Sequence, residues 1–272
     1  MPLATRLFEE RQTGPMPEGD TVYRTAGLLH AALSGQTITT CDIRVPRFAT
    51  VDLSGSRVES VVSRGKHLLL RIGEATVHTH LKMEGRWDLY LPGERWRSPA
   101  WQARIVLGTP ARVAVGFQLG QLEVIRRQDE ERAVAHLGPD LLGPDWDPDR
   151  AVSNLARDLD RPLGEALLDQ RNLAGIGNVY RSEICFLLGV LPSRRVSEIP
   201  DLRAAVDLAH RLLEANKDRG RRVTTGSLRG DHLWVYGRRG PCLRCHTTIR
   251  TSRDSGTHGQ ERIVYWCPRC QI

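Results

Sequence analysis

No stretch of this 272-residue chain approaches the roughly 20 consecutive apolar residues that a membrane-spanning helix needs. The longest apolar run lies around residues 185–191, and Gly189 interrupts it. Residues 1–15 have neither the apolar segment nor the small-residue cleavage site of a secretory signal, which excludes that kind of leader. Internal repeats and low-complexity tracts are also missing. A cytosolic protein is the expectation. Lysine is scarce: Lys66, Lys82 and Lys217 stand beside 36 arginines. A GC-rich coding genome produces such a bias by itself, but it makes each lysine a position to ask about.

Cysteine is sparing too, with six in the chain, and its placement is uneven. Cys242 and Cys245 form one Cys-x2-Cys unit, and Cys267 and Cys270 form another after 21 intervening residues. In a cytosolic chain that spacing indicates a tetrahedral site for one structural zinc ion rather than disulfides. Cys41 and Cys185 stand alone in apolar surroundings and read as core filler.

What is present is an ordinary globular composition, 40% apolar and 26% charged, in a chain long enough for two buried cores. The formal charge of +7 is not evenly spread. Residues 219–272 carry eleven arginines against Asp231, Asp254 and Glu261, so this one stretch accounts for the whole excess. A localised basic lobe on a near-neutral body is what binding to a phosphate backbone requires.

Along the chain, Pro17-Glu18 leads into a helix that Asp20 can cap, with Val22, Ala26, Leu29 and Leu33 on one stripe and Gly35 as its stop. From Ile38 to Ile125, short runs rich in Val, Ile and Thr predict antiparallel strands of a sandwich or barrel: "VESVVS", "HLLLRI", "ATVHTHL", "ARIVL" and "LEVIR". Residues 136–150, rich in Pro, Gly and Asp, read as a linker. Helices are predicted over 162–170 and 179–191, joined by "RNLAGIGN", where Gly175 and Gly177 permit tight turns and Asn178 can cap. A third is predicted over 201–218 with Leu202, Val206, Ala209 and Leu213 aligned. The alternation in "RIVYWC" fits a two-stranded ribbon around the four cysteines, too small to fold without metal. The expected fold class is α+β: an N-terminal helix with an antiparallel β-sandwich, then a helical domain ending in a zinc ribbon.

Four separated signatures coincide: Met-Pro-Glu-Gly opening a helix, "SRGKHLLL", "LAGIGNVYRSE", and the four-Cys ribbon with "ERIVYWCPRCQ". Together they resemble the formamidopyrimidine-DNA glycosylase and endonuclease VIII family of base-excision repair enzymes, over residues 16–272. The "PEGD" opening looks most like the actinobacterial endonuclease VIII branch. The resemblance implies a leader (1–15) outside the family, a catalytic β-sandwich (16–135), the linker, a helix–two-turn–helix DNA-binding domain (151–230) and the zinc ribbon (231–272). It implies a bifunctional glycosylase and abasic-site lyase, acting on damaged DNA as a monomer in the bacterial cytoplasm and nucleoid, with oxidised pyrimidines favoured.

The resemblance also implies residue roles. Pro17 matches the family's N-terminal proline, whose amine attacks the sugar C1′ to form an imine. That nitrogen is a nucleophilic secondary amine only at a chain terminus; inside a polypeptide it is an amide. Met16 is therefore expected to be the true start, or residues 1–15 to be removed. Met1-Pro2 could supply an amine instead, but Leu3-Ala4 follows without a carboxylate. Glu18 matches the acid that protonates the sugar ring oxygen. Lys66 matches a catalytic-site lysine on the DNA backbone beside the lesion.

Asn178 and Arg262 match the pair that grips phosphates around an extruded nucleotide, with Arg250, Arg253 and Arg269 as competitors for the second role. Asn178 follows "GIG", where a helix N-terminus presents N–H groups to an anion. Met83, with Lys82 beside it, resembles the side chain that fills the gap left by the extruded base; a strand methionine is equally a core filler. His78 and His80 lack a third ligand nearby in sequence and read as structural. Asp20 and Thr21 stand where relatives carry "PE", and "VGFQLGQLEVI" replaces the arginine-rich loop of the formamidopyrimidine branch. Two other readings stay open: a non-catalytic binder of abasic or distorted DNA, if the leader is retained, and a generic zinc-ribbon adaptor.

Overall fold

The computed structural model describes residues 17–254 and 262–272, which form two compact units. One comprises Pro17 and Thr21–His136; the other comprises Glu18–Asp20 and Leu137–Ile272.

Helix α1 (Gly19–Leu33) starts with its first two residues in the second unit and runs on into the first. Its stripe Val22, Ala26, Leu29 and Leu33 is buried in the core of the first unit, as its periodicity predicts, and Gly35 turns the chain away with φ +78°. Strands β1 (Thr40–Ile43), β2 (Val58–Arg64), β3 (His67–Ile72), β4 (Ala75–His80), β5 (Arg86–Tyr90), β6 (Ala103–Gly108), β7 (Val113–Phe117) and β8 (Gln121–Arg126) follow. They form two four-stranded antiparallel sheets, in the orders β1-β6-β7-β5 and β2-β3-β4-β8. Leu68, Leu70, Val77, Ile105, Leu107 and Trp87 meet in one core drawn from both sheets. Each such side chain contributes about 1.5–3 kcal/mol by leaving water. Helix α2 (Glu130–Val134) closes this unit, its Glu130 carboxylate accepting from Arg71 Nη2 at 2.7 Å and from Thr76 Oγ1 at 2.6 Å.

The second unit contains α3 (Pro148–Leu155), α4 (Leu163–Leu168), α5 (Asn178–Leu188), α6 (Leu202–Asn216) and the antiparallel pair β9 (Arg250–Asp254) and β10 (Arg262–Trp266). Val206, Ala209 and Leu213 of α6 are buried among Leu141, Leu163, Leu167, Tyr180 and Ile184. Asp201 caps α6 by accepting from Ala204 N–H at 2.9 Å.

The segment 136–150, expected as a linker, begins where the two units meet in sequence, and part of it is packed in the second unit. Leu141 is fully buried in the second core, Ala174 N–H donates to Pro139 O at 2.8 Å, and Pro148 opens α3 behind an Asp147 cap. Pro and Gly there shape a packed turn rather than a solvated tether. Three strands were also not read from sequence. β1 has only four residues, β5 alternates Arg and Asp with Trp and Leu, and β7 carries Gly116 in its interior. A Cβ on that glycine would lie 2.8 Å from Ile105 Cγ2 and 2.6 Å from Leu119 Cδ1, so a larger residue there would have to displace those side chains.

Candidate active site

The centre of the second unit is the amino end of α5. A helix leaves its first N–H groups without intrahelical partners, and the sequence puts Gly177 at the cap, with no side chain to serve them. The acceptor comes from 159 residues earlier. The Glu18 carboxylate, fully buried, accepts from Gly177 N–H (2.7 Å), Val179 N–H (2.8 Å) and Tyr180 N–H (3.3 Å). The N–H groups that sequence reasoning offered to a phosphate therefore hold the chain's own carboxylate, where the helix dipole also favours it. Gly177 makes room for this: a Cβ there would sit 2.5 Å from Glu18 Cδ. Pro17, bonded to Glu18, is buried as well.

The next two residues are tied down in turn. Gly19 N–H donates to Gly175 O at 2.8 Å, and the two backbones approach so closely that a Cβ on Gly19 would lie 2.9 Å from Gly175 Cα. Gly175 reaches that position with φ +119°, a conformation that favours glycine. Asp20, expected as the cap of α1, is instead the second residue of the helix. Its buried carboxylate takes a forked pair of bonds from Arg222, Nε to Oδ2 at 2.6 Å and Nη2 to Oδ1 at 2.7 Å. Tyr180 Oη donates to the same Oδ2 at 2.9 Å. Burial, reinforced by the Asp20 charge, pushes the Tyr180 hydroxyl well above its ordinary range, so it remains a donor.

Asn178 is the first residue of α5, not its cap. Its amide bridges outward, Nδ2 donating to Ile263 O at 2.9 Å while Oδ1 accepts from Arg181. The structure thus brings Glu18 and Asn178 to one helix end and ties that end to β10, where half-buried Arg262 stands opposite Asp254 in the register.

Lys66, Lys82 and Met83 lie in the first unit. Lys66 occupies the two-residue turn Gly65-Lys66 between β2 and β3, with Gly65 at φ +58°. Lys82 and Met83 lie in the β4–β5 loop. Lys82 has φ +55° and its N–H donates to His80 Nδ1 at 2.9 Å. Met83 is 64% exposed, so it does not fill the core.

His78 and His80 join His67 and His136 in a cluster: His67 Nδ1 and His78 Nε2 are 2.8 Å apart, and the His67 ring lies 5.0 Å from that of His80 and 5.9 Å from that of His136. Burial, then the neighbouring histidine and lysine charges, lowers His67 to about 3; burial, then Lys82 and Lys66, lowers His80 to about 3. Among the described residues, the four cysteines are the one group of His, Cys, Asp or Glu placed to hold a metal ion. Their Sγ atoms lie within 4.8 Å of one another, with Cys242 and Cys270 at 3.9 Å and Cys245 and Cys267 at 3.4 Å. Four thiolates at a zinc–sulfur distance of about 2.3 Å would be spaced about 3.8 Å apart, so the set fits.

Sequence reasoning missed Tyr180, Arg222 and the pairing role of Asp20. No local signal could have shown it: Arg222 lies 202 positions from its partner, amid a run of arginines.

Comparison with known proteins agrees with this architecture. The family model described as the formamidopyrimidine-DNA glycosylase N-terminal domain matches residues 16–137, and its helix–two-turn–helix (H2TH) domain model matches residues 137–219. "Probable endonuclease 8 2" of Streptomyces coelicolor is 59% identical over 261 residues, covering 94% of this chain and 94% of its own length. "DNA-(apurinic or apyrimidinic site) lyase Nei2" of Mycolicibacterium smegmatis is 55% identical over 258 residues, covering 94% and 99%. A formamidopyrimidine-DNA glycosylase of Listeria innocua is only 29% identical over 286 residues. Among solved structures, the LlFpg protein in complex with a THF-DNA and an inhibitor superposes with a TM-score of 0.79 at 22% identity, covering 94% of this chain and 99% of that one. At that identity the likeness is one of fold.

Proposed function

The chain belongs to the formamidopyrimidine-DNA glycosylase family, on the side of its actinobacterial endonuclease 8 relatives, and from that premise we propose that it removes oxidised bases from DNA and cleaves the abasic site through an imine on Pro17. It is a bifunctional DNA glycosylase and abasic-site lyase. The observation that carries the reading is the buried Glu18 carboxylate, fixed by three backbone N–H groups directly after Pro17. A terminal proline amine attacks C1′ as the glycosidic bond breaks, and Glu18 delivers a proton to the ring oxygen. The resulting imine acidifies C2′; the C2′ proton passes to the Glu18 carboxylate as the C3′–O bond breaks and the 3′-phosphate leaves.

Lys66 contacts the backbone beside the lesion, Asn178 and Arg262 grip the phosphates around the extruded nucleotide, and Met83 with Lys82 enters the space the base vacates. Exposure of Met83 supports that role over packing. Cys242, Cys245, Cys267 and Cys270 hold one zinc ion, which ties the ribbon together and takes no part in the chemistry. The enzyme works as a monomer on damaged DNA and prefers oxidised pyrimidines. Residues 16–135 carry the chemistry, and 151–230 with 231–272 the DNA grip.

Polypeptide beginning at Pro17, incubated with an abasic or thymine-glycol duplex and borohydride, should give a covalent adduct; the 272-residue form, whose Pro17 nitrogen is an amide, should give none. Absence of any adduct would defeat the catalytic reading, and binding without an adduct would favour a non-catalytic binder.

A further inference from the structure

We infer that Asp20 and Arg222 are positioning residues for the reaction, a buried charge clamp that holds Glu18 and the proline bonded to it in working geometry. The inference rests on the reading of Pro17 as nucleophile.

The start of a polypeptide frays unless it is tied down, yet an attacking amine has to be held to within a fraction of an ångström. Glu18 is oriented by α5, and Gly19 by Gly175. Asp20, two residues after Glu18, adds an anchor on a different element: its forked pair with Arg222 fixes direction as well as distance, because a planar guanidinium meets the carboxylate through two bonds. Tyr180 bridges the two anchors, its N–H on Glu18 and its hydroxyl on Asp20. The Arg222 guanidinium lies 5.5 Å from the centre of the Tyr180 ring, which completes the enclosure.

The clamp is itself braced. Val223 N–H donates to Asn216 Oδ1 at 2.7 Å, and Asn216 Nδ2 returns a bond to Val223 O at 3.0 Å, fastening the Arg222 segment to the end of α6. Thr224 Oγ1 donates to Glu183, a buried carboxylate that also accepts from Trp234, Val235 and Tyr236 N–H. Arg222 is thus presented from a fixed backbone on both sides. A buried pair is weak evidence of added stability, since apolar replacements often serve as well. Precise placement is what two desolvated charges in a fork provide and apolar packing does not.

Two variants of the Pro17-initiated polypeptide test this. Asp20→Leu/Arg222→Met removes the two charges of the pair together; Arg222→Lys keeps the charge and loses the fork. Three quantities are read: the single-turnover rate of borohydride-trappable adduct on an abasic duplex, Kd for a duplex carrying a tetrahydrofuran abasic analogue, and Tm. The rate should fall about hundredfold in the double variant and about tenfold in Arg222→Lys, with Kd changing by less than about threefold. A full rate in Arg222→Lys, or losses of rate matched by equal losses of affinity, would overturn the clamp. Failure of the parent to form adduct would instead bring down the nucleophile reading beneath it.

Discussion

Gly177 shows how much a single missing Cβ can decide. Its backbone, at φ −124° and ψ −159°, is extended and open to any residue, so conformational freedom does not explain the glycine. Space does: the position a Cβ would take is 2.5 Å from Glu18 Cδ and 2.6 Å from Oε1. Gly177→Ala should push the carboxylate off its three donors and, on the proposed mechanism, slow excision of thymine glycol by about a hundredfold. The same change should lower Tm by a few degrees, the scale of about 1–3 kcal/mol for buried donors left unpaired. Excision at the parental rate would show that Glu18 is not held there for chemistry. The sequence made Gly177 visible as a turn residue, but its actual task depends on a side chain from the opposite end of the chain.

At the level of elements, the β3–β4 pair carries a second commitment. His67 and His80 are registered opposite each other, and His78 crosses to His67 from the neighbouring position. The fold holds His67 and His80 neutral, each lowered from the ordinary 6.5 to about 3 by burial and then by nearby positive charge. An unfolded chain protonates these groups as pH falls below 6.5, while the folded chain does not. Stability is therefore unaffected above that point and is lost progressively as pH falls from about 6.5 towards about 3. Urea midpoints measured from pH 7 to 4 should drop, and His67→Gln should flatten the drop; an unchanged slope would remove the cluster from the acid response. The sequence showed β3 and β4 through their apolar runs and showed His78 and His80 as structural residues. His67 and His136 joined them only through strand pairing and chain return. β1, β5 and β7 stayed unread for a related reason: pairing within the β1-β6-β7-β5 sheet supplies what their poor local patterns lack.

For the whole molecule, residues 219–272 carry the whole basic excess, and on the proposed function that lobe meets the phosphate backbone. Arg262→Ala should weaken binding across sequences and reduce the slope of log K against log salt by about 0.9, one phosphate's worth of counterions. An unchanged slope in anisotropy titrations would take Arg262 out of the phosphate grip. The sequence alone determined the family, the α+β class, the helix stripes and the four-cysteine set, because each rests on short spacings: a 3.6-residue period, a strand alternation, two Cys-x2-Cys units. The tertiary structure alone decided that Glu18 caps α5, that Asp20 pairs with Arg222, and that Asn178 turns outward to β10. Those are contacts between residues 85 to 202 positions apart. Buried donors and charges must find partners wherever the fold brings them, and no local pattern encodes which partner that will be.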